Sequence, residues 1–314
     1  MSNRNFIKDV LLGVAVGDAL GVPVEFKSRS FLQQKPVTGM IGHGSHHQPA
    51  GTWSDDSSMT FCLAEMLCEK YNLQNLAHRF INWKNHNYWT PRGDVFDIGI
   101  TTRWAIDSLD NGVNPVLAGG NGEDNNGNGS LMRILPLLFF IQHKPIDQRF
   151  LFVKDVSSLT HRHIRSVLSC FIYLEFALEI LKGNNQHAAY RNICNEIKVF
   201  LNGTDVCSGA EFSIFERILS GGIHLLPEGD IQSSGYVLHT LEASLWCILV
   251  TTNFEHAVLK AVNLGNDTDT TGAVTGGLAG LLYGWDTIPA DWLNVLARKN
   301  DIVDLAKRLT NKNY

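Results

Sequence analysis

Apolar residues recur every three or four positions along most of this chain, the period of a helix with one buried face. Between 162 and 182, Ile164, Val167, Leu168, Phe171, Ile172, Leu174, Leu178 and Leu181 keep that spacing. The same pattern predicts helices over 5–20, 57–70, 73–86, 98–110, 130–142, 187–201, 237–250, 254–264, 270–284 and 290–309. Alternation of period two is nearly absent, and only a short piece around 36–41 allows a strand. Breakers separate the helical stretches at Gly112 to Pro115, Gly119 to Gly129, Lys182 to Asn185 and Leu226 to Gly229. No repeat and no linker-like shift in composition divides the chain. It reads as one compact all-α, multi-helix domain over residues 1–314.

Composition keeps that picture and narrows the partners. With 314 residues, 44% hydrophobic and 18% charged, the chain can bury a sizeable core. A net charge of −5 speaks against a nucleic-acid partner. The apolar runs Val10 to Val16 and Gly272 to Trp285 fall short of the roughly 20 residues that span a bilayer. Asp9 and Asp18 bracket the first run, unlike a signal peptide, so no membrane partner is expected. Cys62, Cys68, Cys170, Cys194, Cys207 and Cys247 form no C-x-x-C pair and sit in apolar helical patterns. They read as reduced thiols of a cytoplasmic protein. No Cys and His cluster at zinc-ligand spacing.

Chemistry concentrates in two acidic turns. Gly265 to Gly272 holds Asp267, Thr268, Asp269, Thr270 and Thr271 at a helix start, and Ser54, Asp55, Asp56, Ser57 and Ser58 open another. Capping explains one Asp or Ser per helix start, but not this density. Adjacent carboxylates repel, and cations relieve the repulsion. The two turns each offer two carboxylates and a flanking Ser or Thr oxygen, six hard donors in all, which is the ligand chemistry of a binuclear Mg²⁺ or Mn²⁺ centre. Gly272, Gly276, Gly277 and Gly280 would let another backbone pack closely behind the second turn. Gly127-Asn128-Gly129, entering a predicted helix, suits either a flexible loop or a phosphate-binding turn.

An ordered set of motifs then carries a resemblance. Gly17 to Phe26, Trp53 to Ser57, Phe96 to Gly99, Gly127 to Arg133, Thr160-His161 and Asn266 to Thr270 follow one another in this order. The chain resembles the ADP-ribosylglycohydrolase family, of the type that reactivates dinitrogenase reductase, over about residues 6–285. The resemblance implies an all-helical fold with two Mg²⁺ or Mn²⁺ ions held by Ser54, Asp55, Asp56, Asp267, Asp269 and Thr270. It implies catalytic roles for Asp55, Asp56, Asp269 and Glu25. It also implies an ADP-ribose-binding loop at Asn126, Gly127, Asn128, Gly129, Ser130 and Met132, with His161 beside the nucleotide.

Some residues keep two readings. Asp97 is a helix cap or a cleft residue that meets a guanidinium. Arg133 pairs with a phosphate or with an acidic neighbour. His161 and His163 also read as plain helix-start histidines. His43, His46 and His47 lie among Gly and Ser, and are assigned to a loop flanking the cleft rather than to a metal.

The resemblance implies removal of ADP-ribose from a modified protein side chain, arginine first. Serine-linked or O-acetylated ADP-ribose is the alternative bond. A non-catalytic ADP-ribose binder or a structural relative is the alternative class, disfavoured by so full a set of repelling carboxylates.

Overall fold

The structure is a computed structural model in which residues 4–312 are described. Sixteen helical segments follow one another: α1 (Phe6–Gly21), α2 (Arg29–Gln34), α3 (Asp55–Glu69), α4 (Leu73–His86), α5 (Ile100–Asp110), α6 (Pro115–Ala118), α7 (Leu138–Ile141), α8 (Ile146–Ser158), α9 (Ile164–Leu181), α10 (Gln186–Asn202), α11 (Gly209–Ile214), α12 (Val237–Leu249), α13 (Phe254–Val262), α14 (Thr268–Tyr283), α15 (Ala290–Val295) and α16 (Lys299–Thr310). Among the described residues there is no sheet, only isolated bridges such as Gly127 with Tyr236. Asn5, Ser28, Asn72, Asn185, Ser208 and Asn253 cap their helices with side-chain oxygens that accept backbone amides. Those caps satisfy donors that a helix start leaves open.

Helices α1 and α14 form the axis of the core. Both are buried on nearly every face, as expected of helices apolar all round. They meet along glycines spaced by four, Gly13, Gly17 and Gly21 against Gly272, Gly276 and Gly280. A Cβ on Gly17 would stand 2.0 Å from the Gly272 carbonyl oxygen, and one on Gly21 would stand 2.3 Å from Asp269 Cα. Only backbone without side chains can come this close. Around this axis one hydrophobic core runs through the domain, joined by a small satellite under α12 and α13.

Most predicted helices lie within about two residues of their expected ends. Three expectations need correction. The helix expected over 130–142 is a turn followed by a short 3-10 segment, Leu135–Leu137, and α7. Pro136 has no N–H to give the Met132 carbonyl, which instead takes the Thr60 hydroxyl at 3.4 Å. The helix expected over 290–309 breaks between α15 and α16. There Ala297 donates its amide to the Gly51 carbonyl at 2.9 Å, and Arg298 turns left-handed at φ 48°. The segment around 36–41 is not a strand. Both Val37 backbone groups bond the Asn263 side chain, at 2.8 and 2.9 Å, so no partner strand is needed.

Helix α8 is absent from the sequence expectations. Its inward face carries Arg149, Ser157 and Ser158, which blur the apolar stripe. Arg149 is buried in an ion pair with Glu175, Nε to Oε1 at 2.7 Å. All six cysteines are free. No helix among the described residues is long and apolar enough to cross a membrane.

Candidate metal centre and substrate cleft

The close approach of α1 and α14 sets the site. It places Asp18, near the end of α1, beside the start of α14 and within reach of the start of α3. Asp18 is fully buried and accepts the Ser54 amide at 2.8 Å, the Ser57 amide at 3.0 Å and the Ser57 hydroxyl at 2.6 Å. These bonds hold the first turn of α3, where Asp55 and Asp56 sit. Burial pushes the Asp18 carboxyl up to about 7, against the pull of those same bonds. Asp18 lies in the Gly17 to Phe26 motif, and its signal in the sequence is an acid at the end of an apolar helical run.

The two acidic turns meet. Thr270 Oγ1 donates to Asp56 Oδ2 at 3.4 Å, and Ser54 Oγ donates to the same oxygen at 3.0 Å. Ser54 also caps α3, and Asp267 stands at the N-cap position of α14. Asp56 Oδ1, Asp267 Oδ1 and Asp269 Oδ2 are buried with no hydrogen-bond partner. Burial first, then the charges of Asp97, Asp56, Asp18 and Glu25, holds Asp55 well above the usual carboxylate range. Asp56 and Asp269 are likewise raised by burial and by neighbouring carboxylates, and burial raises Asp267. No Lys or Arg among the described residues pairs with any of the four.

Buried carboxylates without a cation are costly, and orphaned oxygens that converge are what a metal ion satisfies. The donor set fits a hard divalent cation. One group of carboxylates and a histidine that could hold an ion shares only Asp269 with the six expected ligands. Glu25, His46, Asp97 and Asp269 each bring one ligand atom to within 4.8 Å of the others. His46, expected in a loop flanking the cleft, reaches in from a 3-10 turn, Gly44–His46. Its Nε2 contacts the Glu25 carboxylate, and Ser45 Oγ donates to the Glu25 carbonyl at 2.5 Å. Burial, then the charges of Asp97 and Asp267, pushes the Glu25 carboxyl up to about 10. Asp97 lies just before α5, half-buried, in the left-handed region at φ 53°.

The glycine-rich loop lies next to this cluster. Asn128 Nδ2 donates to Asp267 Oδ2 and to Thr240 Oγ1, each at 2.8 Å, so loop and acidic turn share a clamp. Asn128 N–H is spent on the Gly235 carbonyl at 3.0 Å. Asn126 turns inward, donating to the Glu123 carbonyl at 2.9 Å and accepting from Ser166 Oγ at 3.2 Å. Ser130 Oγ accepts from Ser157 Oγ at 2.9 Å, away from the cleft, and Met132 is buried. These side chains therefore spend their polar atoms on building the loop.

His161 lies behind those glycines: a Cβ on Gly129 would stand 2.8 Å from its Cε1. It is buried, and burial drives its pKa down to about 3, so the ring is neutral. Among the described residues Arg133 makes no ion pair with a carboxylate, although the charge of Asp55 acts on it. It is fully buried, with its guanidinium on the Gly129 carbonyl and 5.0 Å over the Phe80 ring. The Gly129–Ser130 peptide is thereby oriented, its N–H opposite to its carbonyl.

Fold and site together set an oxygen-rich acidic cluster between two helix starts, with the glycine loop bonded to it through Asn128. The chain belongs to the ADP-ribosylglycohydrolase family, whose model matches residues 1–314, and this makes it a glycosidic-bond hydrolase. It is 33% identical over 306 residues to an ADP-ribosylarginine hydrolase of Serratia proteamaculans, covering 96% of this chain and 78% of the relative. It is 30% identical over 292 residues to the ADP-ribosyl-[dinitrogen reductase] glycohydrolase of Rhodospirillum rubrum, covering 92% and 89%. A solved structure described as an ADP-ribosylglycohydrolase-related protein complex superposes with a TM-score of 0.80 at 31% identity, covering 97% of this chain and 96% of that one.

Proposed function

We propose that the chain hydrolyses the bond between ADP-ribose and an arginine side chain of a modified protein. The observation that carries this reading is the convergence of Glu25, Asp97 and Asp269, joined by His46, beside the glycine loop. An acidic pocket that lacks a Lys or Arg partner suits a cationic guanidinium. Relatives named for ADP-ribosylarginine and for ADP-ribosylated dinitrogen reductase support the same substrate class.

Ser54, Asp55, Asp56, Asp267, Asp269 and Thr270 would hold two Mg²⁺ or Mn²⁺ ions, which supply Lewis-acid polarisation and an activated water when bound. The protein's own groups do the rest. Gly127 and Gly129 leave the loop backbone open to the diphosphate, and Asn128 keeps that loop in register with Asp267. Buried negative charge stabilises an oxocarbenium-like transition state at the ribose. Glu25, with its carboxyl held high, is a proton-carrying acid at neutral pH when no cation is near. The guanidinium leaves without strong acid help, which fits a site whose buried His161 stays neutral. Six free cysteines agree with a reducing, cytoplasmic setting.

The test is a panel of arginine-linked, serine-linked and O-acetylated ADP-ribose, run with Mg²⁺ and with Mn²⁺. Release from the arginine-linked substrate at the highest kcat/KM supports the proposal. Faster turnover of a serine or acetyl linkage would move the assignment to that bond. Binding of ADP-ribose without any turnover would make the chain a binder.

A further inference from the structure

Glu25 and Asp97, two carboxylates of the pocket proposed for the guanidinium, each have an aromatic neighbour in sequence, Phe26 after Glu25 and Phe96 before Asp97. Phe26 is 71% exposed and adopts φ 65°, a conformation that bulky residues rarely take. It is fixed by an interlocked pair of backbone bonds. Phe26 donates to the Asn266 carbonyl at 2.7 Å, and Asn266, itself at φ 62°, donates to the Lys27 carbonyl at 2.7 Å. Asp97 at φ 53° is a third left-handed residue on the same rim. Such strain persists where the surroundings over-determine it, and it clusters at binding and catalytic sites. The His46 ring packs against both phenyl rings, 5.9 Å from Phe26 and 5.2 Å from Phe96, while its Nε2 contacts Glu25. Two carboxylates are thus framed by three rings.

Both halves of that arrangement match one chemical group. A guanidinium is a flat cation whose edge donates to carboxylates and whose faces stack on aromatic rings. A seryl oxygen or an acetyl ester offers neither a positive edge nor a π face. Resting on the arginine reading above, we propose that Phe26 and Phe96, spaced by His46, form a clasp that stacks the guanidinium of the modified arginine and selects it over hydroxyl-linked ADP-ribose. Glu25 and Asp97 address its edge, and the phenyl rings offer a surface on which its face stacks. A rim of this kind serving only as a greasy contact for any protein substrate would act equally on every linkage, and this separates the two ideas.

The experiment uses the full chain with Mg²⁺ present and Phe26→Leu, Phe96→Leu and the double variant. Phe26→Asn is added because Asn accepts the left-handed backbone while removing the ring. Arginine-linked and serine-linked ADP-ribosyl peptides are compared by kcat/KM, and free ADP-ribose binding is read by calorimetry. Each single variant is expected to lose about three- to tenfold on the arginine-linked peptide, the size of a partly desolvated cation–π contact. The serine-linked peptide and the Kd for ADP-ribose, which carries no guanidinium, should stay within about twofold, since surface changes without a lost contact act weakly. Equal losses on both peptides, or wild-type rates on the arginine-linked peptide, overturn the clasp. A wild-type enzyme that leaves the arginine-linked peptide intact overturns the arginine reading and the clasp with it.

Discussion

Asp18 accepts two hydrogen bonds from Ser57, one from the amide at 3.0 Å and one from the hydroxyl at 2.6 Å, and so fastens α1 to the first turn of α3. Ser54 adds a third at 2.8 Å. The turn that carries Asp55 and Asp56 therefore takes its orientation from a carboxylate on another helix. Asp18→Ala should shift the metal dependence of activity to concentrations higher by about 10- to 100-fold, the usual effect of removing a group that orients ligands. Asp18→Asn keeps one acceptor and should fall between. A metal titration curve unchanged in Asp18→Ala would refute the orienting role.

Without divalent cations the protein should lose stability as pH rises. Asp18 and Glu25 have folded-state pKa values raised to about 7 and about 10, so the folded chain binds more protons than the unfolded one. Their contribution is fully present below the unfolded carboxylate range and is lost as pH climbs through those folded values. Asp55, Asp56 and Asp269 act in the same direction. Thermal unfolding in EDTA from pH 5 to 9 should show Tm falling, and Mg²⁺ or Mn²⁺ should flatten the slope. A Tm that rises with pH in EDTA contradicts the cation-free carboxylate cluster.

Asp55→Ala and Asp269→Ala should abolish release of ADP-ribose from arginine-modified protein, a loss of at least about 1000-fold for a group at the reacting centre. EDTA should do the same to the wild type, reversed by adding cation back. Substantial turnover in either variant would sink the ligand assignment.

Asp97 separates linkages. Asp97→Ala should cut kcat/KM on arginine-linked substrate by about 10- to 100-fold, as expected for loss of a charge-assisted contact. Serine-linked substrate, if turned over, should change far less. Rates on the arginine-linked substrate that survive the substitution would deny Asp97 a guanidinium.

Gly17→Ala tests the axis. Its Cβ would stand 2.0 Å from the Gly272 carbonyl oxygen, so α1 and α14 must part. A cost of about 2 kcal/mol or more in urea unfolding is expected from such overpacking. Gly209→Ala, with nothing within 4 Å, is the control and should be near neutral. Equal midpoints for the two variants would mean that the axis tolerates separation.

Much of the fold was legible because a helix in a core needs only local periodicity, and α9 shows this from Ile164 to Leu181. What failed was set by contacts from elsewhere. Pro136 and the bonds around it kept 130–142 from forming the single helix its apolar residues favour, and Gly51 broke the pattern between α15 and α16. Arg149 hid α8 because its charge is neutralised by Glu175, which the pattern cannot know.

The same division runs through the site. Asp55, Asp56, Asp267 and Asp269 were legible since repelling acids at helix starts have few structural reasons. His46 was not, because its loop has no periodicity and its partner Glu25 lies 21 residues away. By itself the sequence determined helices, a core of small residues and a density of hard oxygen donors, all properties of neighbours along the chain. Only the tertiary structure decided which oxygens stay unpartnered, that Asn126, Ser130 and Arg133 turn inward, and that Glu25, His46 and Asp97 share one pocket. The physical reason is burial: desolvation and orphaned hydrogen bonds depend on what packs around a group, and a sequence states only what the group is.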